Sequence, residues 1–254
     1  MLHFNLCSSS IIRIVILFLA VFSGWVESGE LRIAAASDLN PVLNEIVRSF
    51  EKQSGNVARI SFGSSGNLYA QILQGAPYDV FLSADSEYPT KLIKHGFADP
   101  KSFTIYAGGK IVLWTLRNIP VENGLAALMD PAVKRVAVPN PRHAPYGRAA
   151  LSALKHAGVY DSVQSKLILG ENVSQTAQFV HSEAVDAGIV SLSSVLSQAV
   201  KNRGSYWIVP QNTYPVLEQA GVVVQSSSNP HLAQSFLHFL QSTQARAIFS
   251  RYGY

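Results

Sequence analysis

The sequence predicts an α/β protein built as two lobes. Three observations carry this. Short apolar strand-like runs alternate with helical patterns, the alternation restarts midway as a second series, and a late β-rich segment is placed to return to the first series. A chain of 254 residues that is 48% hydrophobic and 14% charged can bury one large core or two lobes of roughly 100 residues each.

The elements follow in order. "LRIAAAS" reads as the first strand, and "PVLNEIVRSFEKQSG" as a helix with Pro41 in its first turn and Gly55 at its end. "ARISF" and "YDVFLSA" are two further strands, and the helix "NLYAQILQG" between them puts Leu68, Ile72 and Leu73 on one face. In the second series "GGKIVLWTL", "RVAVPN" and "DAGIVSL" are strand-like, while "GRAALSALKHAG" and "SQTAQFVHSE" are helical. "TYPVLEQAGVVV" begins with an extended Tyr-Pro pair and becomes β-rich, and the tail from "NPHL" to "RYGY" holds two helices. Sheets of such βα series are expected to be largely parallel, with ligand at the carboxyl ends of the strands in the cleft between lobes. The expected division is residues 30–108 plus 214–254 for one lobe and 109–213 for the other.

Residues 1–29 differ from the rest. Arg13 precedes the apolar run Ile14 to Phe22, with the small residues Ser23 and Gly24 behind it, the pattern of an export signal too short to span a bilayer comfortably. The competing reading is a membrane anchor over Ile11 to Val26 with Arg13 snorkelling. The sole cysteine, Cys7, lies before the apolar run, so an exported protein cleaved behind that run has no disulfide and relies on its core. The net charge of +4 and pI near 9.2 come from singly scattered Lys and Arg, which argues against a nucleic-acid surface.

Chemistry concentrates in four strand-to-helix turns. "AAASDLNP" and "SFGSSGNL" each bring a serine hydroxyl and free backbone N–H groups to a helix start, where the helix dipole favours an anion. "VPNPRHAPYGRAA" is stiffened by three prolines and presents the N–H groups of Tyr146 and Gly147. "LGENVSQTAQF" enters its helix through Asn172 and Val173, with Ser174 expected as the N-cap. Each turn alone is ordinary capping. Together, two from each lobe, they suit a fully deprotonated anion, because every contact is donated.

Catalytic patterns are weaker. "GSSG" is not the G-x-S-x-G elbow, and Gly109-Lys110 is followed by Ile111, so no P-loop ends there. Ser65, His143 and Asp186 can be drawn as a triad, and an exported hydrolase using Ser37 or Ser65 is the distant rival. His95, His143, His156 and His181 lack metal-ligand spacing, and His231 and His238 lie two helical turns apart. No metal site or cofactor is expected. Arg142 and Arg148, flanking the Pro-rich turn, are solvated by default.

"AAASDL", "FGSSGNLYAQILQGAPYDVFLSAD", "NPRHAPYGRAA", "ENVSQTAQFV", "DAGIV" and "IFSRYGY", in that order from residue 31 to Tyr254, resemble the periplasmic molybdate-binding proteins of ABC importers. The resemblance implies a type II periplasmic-binding-protein fold, with a central mixed sheet in each lobe, that closes around molybdate or tungstate. It implies a periplasmic monomer that hands its ligand to a membrane permease driven by an ATPase. Carried over by residue, Ser37 and Ser65 give hydroxyl and N–H, Asp38 an N–H with its carboxylate turned away, and Tyr146 and Val173 their backbone N–H groups. A tyrosine whose hydroxyl serves the oxyanion in part of the family is matched here by the shorter Ser191, so backbone capture by Tyr146 is expected instead. A same-fold receptor for sulfate or another small anion is the nearer rival.

Overall fold

The computed structural model describes residues 29–254, and the expected export segment, apart from its last residue, lies outside them. The chain runs through β1 (Glu30–Ala36), α1 (Asn40–Ser54), β2 (Val57–Gly63), α2 (Ser65–Leu73), β3 (Val80–Ser83), α3 (Glu87–Lys94) and β4 (Thr104–Gly109). After Lys110 it continues as β5 (Ile111–Thr115), β6 (Val136–Pro139), α4 (Pro145–His156), α5 (Tyr160–Val163), β7 (Leu167–Gly170), α6 (Val173–His181), β8 (Ala187–Ser191), α7 (Leu192–Val195) and β9 (Ser205–Ile208). It ends with β10 (Leu217–Val223), α8 (Pro230–Leu240) and α9 (Thr243–Arg251).

Two five-stranded sheets result, in the orders β2-β1-β3-β10-β4 and β7-β6-β8-β5-β9, one in each lobe. Each sheet is mixed, as the resemblance implies, rather than largely parallel, as the strand-helix alternation suggests. β2, β1 and β3 are mutually parallel, as are β7, β6 and β8, but β10 runs against β3 and β4, and β5 runs against β8 and β9. The reason is the crossing between lobes. The parallel strands point their carboxyl ends at the cleft, whereas β5 and β10 arrive from the opposite lobe at the cleft side and run away from it.

Local chemistry fixes the ends of these elements. α1 starts with Pro41 in its first turn and stops at Gly55, which takes the left-handed conformation with φ 71° that costs glycine least. Its inner face buries Val42, Leu43, Ile46, Val47 and Phe50 at helical spacing. Phe50 meets Phe236 edge-on at 5.1 Å and Phe239 at 5.5 Å, which fixes α8 against α1. Each such side chain contributes about 1.5–3 kcal/mol on burial. In the other lobe Trp114 of β5 is buried, its indole N–H donating to the Arg203 carbonyl at 3.0 Å.

Candidate functional site

The carboxyl ends of β1, β2 and β3 and the starts of α4 and α6 converge on one small cavity of about 10 Å³, far below the roughly 300–1,000 Å³ of pockets for drug-sized ligands. Ser37, Asp38, Ser65, Tyr146 and Val173, from four turns separate in sequence, all line it. Asp38 is the single charged residue of that lining, which holds no Lys, Arg or His.

The helix starts around the cavity leave several N–H groups without acceptors among the described residues. In α2 no side chain caps the first turn; Gly66 N–H goes to the His143 carbonyl at 2.8 Å and Leu68 N–H to the Ser64 carbonyl at 3.0 Å. Ser65 and Asn67 keep N–H groups without an acceptor among the described residues, as helix starts do by construction of their bonding pattern. The Ser65 hydroxyl accepts from Ala84 N–H at 3.0 Å, so its own proton is free to be donated. In α4 the N–H groups of Gly147 and Arg148 both reach the Ala144 carbonyl and Pro145 has none, which leaves Tyr146 N–H. In α6 the Asn172 side chain accepts from Gln175 N–H at 3.0 Å and its carbonyl from Thr176 N–H, which leaves Val173 and Ser174. Ser174 is therefore not the N-cap. Its hydroxyl instead crosses the cleft to the Ser37 carbonyl at 2.8 Å.

Beneath this array lies Asp38, 1% exposed. Oδ2 accepts from Gln219 Nε2 at 2.6 Å, from the Tyr254 hydroxyl at 2.9 Å and from the Tyr146 hydroxyl at 3.2 Å. Oδ1 is buried and has no partner among the described residues. Burial pushes the carboxyl up to about 6, against the three hydrogen bonds that favour its charged form. The carboxylate is thus fastened to its own ring of donors, while residue 38 itself remains on the cavity lining.

Other expected residues fall elsewhere. Ser191 is fully buried, but it caps α7, where its hydroxyl bonds those of Ser194 at 2.7 Å and Ser193 at 3.0 Å, and it does not line the cavity. The triad is not assembled: His143 Nδ1 sits 2.9 Å from the hydroxyl of Ser64, not Ser65, and Asp186 is bound by Arg117 and by the N–H groups of Lys134 and Arg135. Among the described residues no group of three or more His, Cys, Asp or Glu could hold a metal ion. Arg148 is not a solvated flank but reaches across to Asp85, Glu87 and Tyr88.

A neutral cage of N–H and O–H donors at several helix starts is suited to capturing an anion and letting it go again. Two lobes on mixed sheets, with that cage between them, define a solute-binding receptor rather than an enzyme. The chain belongs to the family of bacterial extracellular solute-binding proteins, which it matches over residues 31–254. It is 36% identical to the molybdate-binding protein ModA of Rhodobacter capsulatus over 89% of this chain and 88% of that one. It is 35% identical to ModA of Azotobacter vinelandii over 90% of each. The solved periplasmic molybdate-binding protein of Azotobacter vinelandii superposes with a TM-score of 0.84 at 37% identity, covering 88% of this chain and 98% of that one. Among the described residues no helix is long and apolar enough to cross a membrane.

Proposed function

We propose that this protein captures molybdate, and tungstate with it, in the cavity between its lobes and delivers the oxyanion to the permease of an ABC importer driven by its ATPase. The carrying observation is the convergence of unfilled N–H groups from both lobes on one small cavity lined by no Lys, Arg or His side chain. In this reading Ser37 and Ser65 donate hydroxyl and N–H from one side, Tyr146 and Val173 donate N–H from the other, and Asp38 supplies only backbone. Residues 30–108 with 214–254, and residues 109–213, are the two bodies that close. Export to the periplasm through residues 1–29, action as a monomer and the absence of any cofactor complete the proposal.

Molybdate is favoured over sulfate by the likeness to relatives named for molybdate across nearly the whole chain. Charge and shape do not separate the two anions, so cavity size must. Protonated phosphate is disfavoured because its O–H finds no acceptor among the donors. Isothermal titration of ligand-stripped protein with molybdate, tungstate, sulfate and phosphate tests this. Tight binding of molybdate and tungstate alone is expected, and a preference for sulfate or phosphate would overturn the assignment.

A further inference from the structure

We propose that Arg148 is a clasp across the mouth of the cleft, a positioning residue that touches no ligand but sets how fast a captured oxyanion is released; this rests on the function proposed above. Arg148 lies on α4 two residues beyond Tyr146, which lines the cavity. Its guanidinium leaves its own lobe and forks into the other. Nη2 meets Asp85 Oδ2 at 2.5 Å and Glu87 Oε2 at 3.3 Å, Nη1 donates to the Tyr88 hydroxyl at 3.4 Å, and the group stands 5.5 Å from the Tyr88 ring centre. Only a planar fork makes these contacts together, which a lysine cannot reproduce.

The receiving end is rigid. Asp85 Oδ1 accepts from the Ser83 hydroxyl at 3.0 Å and from Tyr88 N–H at 3.2 Å. The adjoining Ala84 gives its N–H to the Ser65 hydroxyl and so orients a proposed ligand donor. Asp85 is buried, and burial pushes its carboxyl up despite the guanidinium beside it, so withdrawing Arg148 leaves a costly charge until water enters. Glu87 is meanwhile neutralised from its far side by Lys91 at 2.5 Å. The clasp therefore ties the segment that positions Ser65 to the helix that presents Tyr146, and it forms only when the lobes are closed. Contacts of this kind act mostly on dissociation, because encounter precedes closure.

The test is release of ⁹⁹Mo-labelled molybdate, chased with unlabelled molybdate, from wild type, Arg148→Met, Arg148→Lys and, should the methionine variant misfold, Glu87→Gln. Expected is release about tenfold or more faster from Arg148→Met, with association changed by less than about threefold. Arg148→Lys should recover part of the slow release. Raising NaCl should speed release from wild type and leave Arg148→Met unaffected. Equal release rates in a folded Arg148→Met protein, or a loss confined to the thermal stability of the ligand-free form, would overturn the clasp while the site stands. Failure of wild type to bind molybdate at all would overturn site and clasp together.

Discussion

The Tyr254 hydroxyl donates to Asp38 Oδ2 at 2.9 Å, joining two segments 216 residues apart directly beneath the proposed oxyanion cage. Gln219 and Tyr146 complete the same ring, so the carboxylate is held by β10, α4 and the segment after α9 at once.

That ring has a pH consequence. A carboxyl raised from 3.8 to about 6 binds its proton more tightly in the folded than in the unfolded chain. The contribution of Asp38 to stability is therefore most favourable below the unfolded value of 3.8 and is lost as pH rises through about 6. Asp38→Asn keeps an acceptor for the three donors without the charge. It should raise stability by roughly 2–3 kcal/mol at pH 8 and by little at pH 4, measured by urea denaturation at both. A gain of equal size at both pH values would show that charge is not the cause.

The same carboxyl should make anion capture pH-dependent. A dianion placed above an ionised Asp38 is repelled and above a neutral one is not, so wild-type affinity should weaken as pH rises from 5.5 to 8 more than in Asp38→Asn. Titration of both proteins with molybdate across that range gives the comparison, and parallel curves would contradict it.

Gly66 packs directly against the opposite lobe beside the cavity, its N–H donating to the His143 carbonyl at 2.8 Å. A Cβ there would lie 2.7 Å from His143 Cβ and 2.8 Å from its Cα, both in the opposite lobe, and 2.6 Å from the Tyr88 hydroxyl. Gly66→Ala should therefore impede closure and weaken molybdate binding about 5- to 150-fold, the effect of roughly 1–3 kcal/mol of overpacking. The Tyr88 clash lies within one lobe, so a modest loss of thermal stability in the ligand-free protein is expected as well, offset in part because helical alanine is otherwise favourable. Calorimetric titration together with a thermal scan separates these effects.

Ser65→Ala removes one donor to the anion and the acceptor of Ala84 N–H. A hydrogen bond to a charged group is worth about 1.5–3 kcal/mol, so affinity should fall roughly 10- to 150-fold. Tyr146→Phe keeps the backbone N–H and loses only the hydroxyl on Asp38, and should cost far less. The reverse order in titrations of the two variants would reassign the donors.

The legible features of the sequence were the local ones. Four turns announced themselves through Ser, Gly and Pro at helix starts, and the residues Ser37, Ser65, Tyr146 and Val173 do meet on one cavity. The features that depend on partners far apart in the chain are not legible locally. Ser174 has the composition of an N-cap, yet Asn172 takes that role and the serine serves the opposite lobe. No spacing rule links Asp38 to Gln219 and Tyr254, and nothing local distinguishes Arg148 from a solvated arginine. Among the elements, β7 is a four-residue edge strand with Ile168 and Leu169 exposed, so it shows no clear periodic signal.

The most direct test is a crystal structure of the protein grown with molybdate, with anomalous data collected at the molybdenum edge. One strong peak is expected between Ser37, Ser65, Tyr146 and Val173, with hydroxyl and N–H donors about 2.7–3.1 Å from its oxygens and the Asp38 carboxylate turned away. A peak elsewhere, or oxygens held chiefly by charged side chains, would contradict it.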